Sequence, residues 1–100
     1  MQSLGDILRK HRENRGLLLR HVGSAMEIDQ ALISKFERGE RYPSREQVIQ
    51  FAKLYEVNED VFLLAWLSDK LTYQVQDEDL ALQAMQVAEE KIKYYKNKTK

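Results

Sequence analysis

One hundred residues, 43% of them apolar, are enough for one hydrophobic core and too few for two. The chain has no cysteine, which excludes disulfides, thiolate metal sites and thiol nucleophiles and suits a reducing cytoplasm. The formal charge is zero, but the sum conceals opposed regions: from Arg9 to Arg45 nine Lys/Arg stand against five acids, and from Glu46 to Glu90 only Lys53 and Lys70 oppose ten acids. The last ten residues add five lysines. A basic N-terminal half can face a polyanion while the acidic half turns away; a solvated surface with chance clustering is the alternative. The longest apolar run, Val61 to Leu67, falls far short of the ~18 residues of a membrane span, and the N-terminus lacks the apolar region of a signal peptide. The expectation is a cytoplasmic protein with no membrane partner.

One proline and four glycines occur, and no segment alternates apolar and polar residues over a strand's length, so the pattern is all-α. Ser3 with Asp6 predicts an N-cap, followed by Leu4, Ile7, Leu8 and His11 at helical spacing until Gly16. A short second helix covers Leu19 to Met26 and buries Val22, Ala25 and Met26. Asp29 caps a third helix from Gln30 to about Arg38, closed by Gly39. Ser44 caps a fourth, with Val48, Phe51, Ala52 and Tyr55 on one face. Asn58 caps a fifth, with Glu59 and Asp60 suited to the dipole of its first turn. Leu71 to Gln76 reads as the only weak joint. A sixth helix is expected from Asp77 to about Lys96, with Ala81, Met85, Ala88, Ile92 and Tyr95 at alternating steps of four and three.

The second and third helices carry the most information. Each spans roughly two to three turns, too short to be stable alone. Their connection, Glu27-Ile28-Asp29, has an apolar residue in its middle and a cap at its end. Two short helices joined this tightly must cross steeply, as in a helix-turn-helix, whose second member can lie in the DNA major groove.

From Leu4 to about Phe62 the chain resembles the Cro and phage-repressor type of helix-turn-helix domain, the xenobiotic-response-element family of bacterial regulators. The residues that carry the likeness are Arg12 with Gly16-Leu17, Val22-Gly23, Ile28-Asp29, Ile33-Ser34, Phe36-Glu37-Arg38-Gly39, Pro43-Ser44, and Ala52 to Val57 with Asn58. Glu-Arg-Gly followed by Pro-Ser is the most specific part. The resemblance implies a five-helix lambda-repressor-like domain over residues 1–72, with the extra helix at 77–96 as a dimerisation or packing extension. Departures accompany the likeness. Leu18 and Leu19 stand where the family has a small polar residue and a phosphate-touching glutamine, so Arg20 and His21 would take over part of that contact. Gly23 replaces the usual alanine, at roughly 1 kcal/mol of helix propensity, and Glu27 replaces the usual glycine of the turn.

On the third helix Ile33 and Phe36 point to the core, with Leu32 at its margin, and the opposite face offers Gln30, Ala31, Ser34 and Lys35. By family register Gln30, Ala31 and Lys35 fall where bases are read, with Ser34 as a weaker candidate. Glutamine can bond adenine twice, lysine can donate to guanine, and alanine can pack on a thymine methyl. Arg38, Arg41, Tyr42 and Arg45 follow and can reach phosphates, as can Arg20; such contacts set affinity and salt dependence more than sequence choice. For all of these a merely solvated surface is the competing reading. Arg12 and Glu37 resemble the family's structural ion pair tying helix one to the end of helix three.

The segment from Val61 to Leu67 shows apolar groups on every side, which implies burial on more than one face. Phe62, Leu64, Trp66 and Leu67 are candidates for contact with a second subunit, against a purely intramolecular core. Met85 and Ile92 of the sixth helix either complete such a dimer or fold back over the fifth. Nothing suggests an enzyme: His11 and His21 lie on different helices, and there is no glycine-rich phosphate loop or metal-spaced cluster, so no metal, cofactor or small-molecule ligand is expected. The expected function is a dimeric regulator on a palindromic double-stranded DNA operator, with autoregulation suggested by likeness in size to phage repressors and restriction-modification controller proteins. The rival in another class is an antitoxin-type protein-interaction module.

Overall fold

The computed structural model describes residues 2–98, and every described element is an α-helix. Helix α1 spans Leu4–Asn14, α2 Leu19–Met26, α3 Gln30–Arg38, α4 Arg45–Leu54, α5 Glu59–Val75 and α6 Ala81–Lys98. The chain divides after Lys70 into two compact units.

Local chemistry sets most boundaries of the first unit. The Ser3 hydroxyl accepts from the Asp6 amide at 3.2 Å while the Asp6 carboxylate accepts from the Ser3 amide, a reciprocal box that satisfies two donors at the start of α1. Ser44 and Gln47 do the same for α4. The Asp29 carboxylate accepts from the Ala31 amide at 2.8 Å at the head of α3, and the Asn58 side chain accepts from Asp60 at the head of α5. Leu18 precedes α2 and has no acceptor of its own, so His21 Nδ1 reaches back to accept from the Leu18 amide at 2.9 Å. Gly39 ends α3 in the left-handed conformation, with its following amide bonded back to the Lys35 carbonyl.

These five helices enclose one core of Leu4, Leu8, Val22, Met26, Ile33, Phe36, Val48, Phe51, Ala52, Tyr55, Phe62 and Trp66. Its centre is aromatic: Phe51 meets Phe36 edge-on with centroids 6.1 Å apart, and Tyr55 lies between Phe51 and Phe62. The bond from the Leu4 amide to Asp69 at 2.8 Å ties the start of α1 to α5 across 65 residues.

Two glycines are required by close approach. A Cβ at Gly5 would stand 2.5 Å from the Glu37 carbonyl oxygen, so α1 and the end of α3 cross at a distance only glycine permits. A Cβ at Gly23 would stand 2.8 Å from the Ile28 carbonyl oxygen. The helix propensity lost at Gly23 is therefore offset by a tighter turn between α2 and α3. Within that turn Glu27 adopts φ 56°, ψ 42°, a left-handed conformation that costs a side-chain-bearing residue about 1–2 kcal/mol.

Several expectations need correction. Ala25 is exposed, and Gly23 takes the buried place beside Val22 and Met26 because the turn folds over that side of α2. Phe62 and Trp66, expected to face a second subunit, are 0% and 6% exposed; their four-residue spacing continues the stripe that meets Tyr55. Leu64 and Leu67 of the same set do lie on the surface. The segment expected as a weak joint is helical through Val75, and α6 begins at Ala81, because residues 76–80 form a turn.

The second unit consists of the last turn of α5, this turn and α6. Helix α6 has no buried residue. Ala81, Met85 and Ala88 are half-buried, whereas Leu82, Val87, Ile92, Tyr94 and Tyr95 are exposed. Leu71, Leu82, Met85, Ala88 and Ile92 line an open groove of ≈ 670 Å³ within the unit.

Candidate nucleic-acid interface

Helix α3 has two unlike faces. Ile33, Phe36 and Glu37 are buried, and Leu32 packs at the edge of the core. Gln30, Ala31 and Lys35 are exposed, and Ser34 is half-buried at the border between the faces. The order of residues sets most of this split, since the buried set recurs at three and four residues and Ala31, Ser34 and Lys35 fall on the other side, whereas Gln30, seven residues before Glu37, shares that residue's line but is exposed. Gln30 is exposed in the first turn, and Lys35 is exposed one to two turns later, roughly 140° further round the helix.

The exit from α3 is strongly polar. Arg38, Arg41, Tyr42 and Arg45 are all exposed. Pro43 between them is buried, and its carbonyl oxygen accepts from Trp66 Nε1 at 2.8 Å. This bond fastens the loop that carries Arg41 and Tyr42 to α5, and nothing in the local sequence marks it. Arg38 Nε lies 2.5 Å from Glu40 Oε2, with both side chains more than half exposed. That carboxylate, two residues after Arg38, competes with any phosphate for the guanidinium. Arg20 on α2 is exposed and shares with Gln30 a shallow depression over the turn. His21 is exposed too, but one ring nitrogen is engaged in capping α2.

Arg12 faces inward. Its Nε and Nη2 donate to the two oxygens of Glu37 at 2.7 and 3.0 Å, and Nη1 donates to the Leu17 carbonyl at 2.9 Å. With the two side chains only 13% and 5% exposed, this bidentate pair joins α1 to the last turn of α3. Donating these hydrogen bonds to Glu37 holds the Arg12 pKa above its ordinary value. The nearby Tyr55 hydroxyl is buried without a hydrogen-bond partner, and burial, with the Glu37 charge, pushes its pKa up to about 12. His11 stacks on Tyr55 with centroids 6.0 Å apart, and burial lowers its pKa, assisted by Arg15 and Lys10. Arg15 donates to the Tyr55 carbonyl, closing α1 against the end of α4. These groups support the core. Among the described residues no cluster of three His, Cys, Asp or Glu could hold a metal ion, and no helix is long and apolar enough to cross a membrane.

Two short helices joined through a left-handed Glu27, the second presenting a polar outer face and a basic exit, define a helix-turn-helix. A family model described as a helix-turn-helix domain matches residues 3–64, more than half the chain, and the chain belongs to that family. Its Cro-like character, inferred from motifs, accords with this membership. No curated protein and no solved structure matches the chain significantly. Family membership supports a DNA-binding regulator, and the family is generally non-enzymatic.

Proposed function

We propose that the protein is a sequence-specific transcriptional regulator of the Cro and xenobiotic-response-element type that binds double-stranded DNA as a dimer. The observation that carries this reading is the division of α3: Ile33, Phe36 and Glu37 anchor it in the fold while Gln30, Ala31 and Lys35 are exposed. In this reading Gln30 and Lys35 bond base edges in the major groove, Ala31 makes an apolar contact, and Ser34 contributes from the border. Arg20, Arg38, Arg41, Tyr42 and Arg45 grip phosphates. Residues 1–72 form the DNA-binding part, and residues 77–96 serve dimerisation together with the exposed Leu64 and Leu67. Two copies about a twofold axis place their α3 helices ~34–36 Å apart, in successive major grooves of a palindromic operator. Autoregulation of the protein's own promoter, as in a restriction-modification controller, is the specific form proposed.

Gel shifts with the DNA upstream of the gene, set against unrelated duplex over a salt series, test this. Equal binding to both ends the specific-regulator reading. Gln30→Ala and Lys35→Ala should relax preference at particular base pairs by about 1–3 kcal/mol. Arg38→Ala and Arg41→Ala should weaken all sequences alike and reduce the salt slope by about one. Uniform weakening by all four would defeat the assignment of base readers.

One observation favours a second reading. Helix α6 has no fully buried residue and exposes Leu82, Val87, Ile92, Tyr94 and Tyr95, a surface that also suits the partner enzyme of an antitoxin-type module. A toxin-like reading frame beside the gene, with copurification of its product, supports that reading; a neighbouring methyltransferase and nuclease support the controller.

A further inference from the structure

The indole of Trp66 gathers two cations from different helices. Lys70 Nζ on α5 lies 3.6 Å from the ring centroid, and Arg45 Cζ at the start of α4 lies 5.3 Å from it. Both distances fall where a ring's quadrupole attracts a cation. The ring itself is fixed, since Trp66 is nearly buried and its Nε1–H donates to the Pro43 carbonyl. Turning it away would leave a buried donor without a partner. Arg9, Arg12, Arg38 and Lys93 each pair with a carboxylate, but neither Arg45 nor Lys70 takes part in an ion pair among the described residues. Two like charges drawn to one ring repel each other, and an anion set against both relieves that repulsion. Pro43, to which the ring is bonded, closes the loop that carries Arg41 and Tyr42, so this pair of cations adjoins the basic exit of α3.

We propose that Arg45 and Lys70, ordered on the Trp66 ring, form a single phosphodiester site that extends the phosphate-gripping surface from the α3–α4 loop onto α5. Lys70 is then a phosphate contact and Trp66 a positioning residue that holds both cations and, through Pro43, the loop between them and α3. The proposal rests on the DNA-binding reading above. A phosphodiester fits better than an acidic peptide because the surrounding chain, from Arg38 through Arg45, already presents an arginine-rich surface of the kind that follows a nucleic-acid backbone.

The test is the salt dependence of duplex binding by the full chain. Lys70→Gln with Arg45→Gln should lower the log–log salt slope by about one, because each neutralised phosphate contributes about 0.9, and Lys70→Gln alone should lower it by part of that, since Arg45 still faces the shared phosphate. Lys70→Arg should retain the slope. Lys53→Gln removes an equal charge from an exposed site on α4 away from the ring and should leave the slope unchanged. In a Trp66→Leu background, Lys70→Gln should weaken binding by a smaller factor than in the wild type; equal factors overturn the positioning role of Trp66. If Lys70→Gln and Lys53→Gln behave alike while the wild type shows a steep slope, the site is overturned and the DNA-binding reading survives. A wild-type protein with no salt-dependent affinity for duplex defeats that reading and the site with it.

Discussion

Helices α2 and α6 make opposite use of their length. Eight residues are too few for α2 to persist alone, yet it buries Val22, Gly23 and Met26 and is held at both ends, by His21 at its start and the Glu27 turn at its finish. Helix α6 has 18 residues and buries none of them. Order in the first unit comes from apolar groups removed from water and from polar groups that find partners far along the chain. In α6, helix propensity, the Glu89–Lys93 pair and partial cover of Ala81, Met85 and Ala88 have to suffice. A rigid helix pair is what positioning against a groove requires, and an uncovered apolar helix is what association requires.

Four substitutions sharpen this contrast. The largest effect should come from Glu37→Ala, which strands the mostly buried Arg12 guanidinium and should cost about 3–5 kcal/mol in chemical denaturation. A loss below about 1 kcal/mol would show that the pair contributes little to joining α1 and α3. Gly5→Ala comes next: its methyl meets backbone that cannot swing aside, and the unfolding free energy should fall by about 1–3 kcal/mol. Glu27→Gly should act in the other direction. Relief of the left-handed strain, partly cancelled by the greater freedom of glycine in the unfolded chain, should raise stability by about 0.5–1 kcal/mol. The smallest effect is expected from Ile92→Ser on α6, which should change unfolding at low protein concentration by less than about 0.5 kcal/mol. A larger loss at low concentration would mean that α6 supports the monomer, whereas a loss seen only at high concentration would place Ile92 in an association surface.

Most of the first unit was legible in the sequence because its determinants are local. Ser3, Asp29, Ser44 and Asn58 each act on an amide two or three residues away, so their cap signatures stand next to the helices they begin. The two faces of α3 are likewise written in the spacing of Ile33, Phe36 and Glu37. What escaped depends on how the helices cross. The bond from Trp66 to Pro43 spans 23 residues and that from Leu4 to Asp69 spans 65, and no periodicity announces either. Gly23 read as a loss of helix propensity because the approach of Ile28 becomes visible only once the turn is folded. Phe62 and Trp66 were misassigned for a related reason: a helix that is apolar all round does not say which side the core will take. Residues 77–80 read as the start of α6 because Asp77, Glu78 and Asp79 suit a helix N-terminus, while the turn that displaces the start to Ala81 has no sequence marker as strong as proline or glycine.

Trp66 is the only tryptophan in the chain. Its indole stands against Lys70 and Arg45 and is bonded to the loop that leaves α3, so any event that moves those cations alters the field across the chromophore. The protein thus carries its own optical label at the edge of its basic surface, and its emission can follow the arrival of an anion without dyes or further engineering.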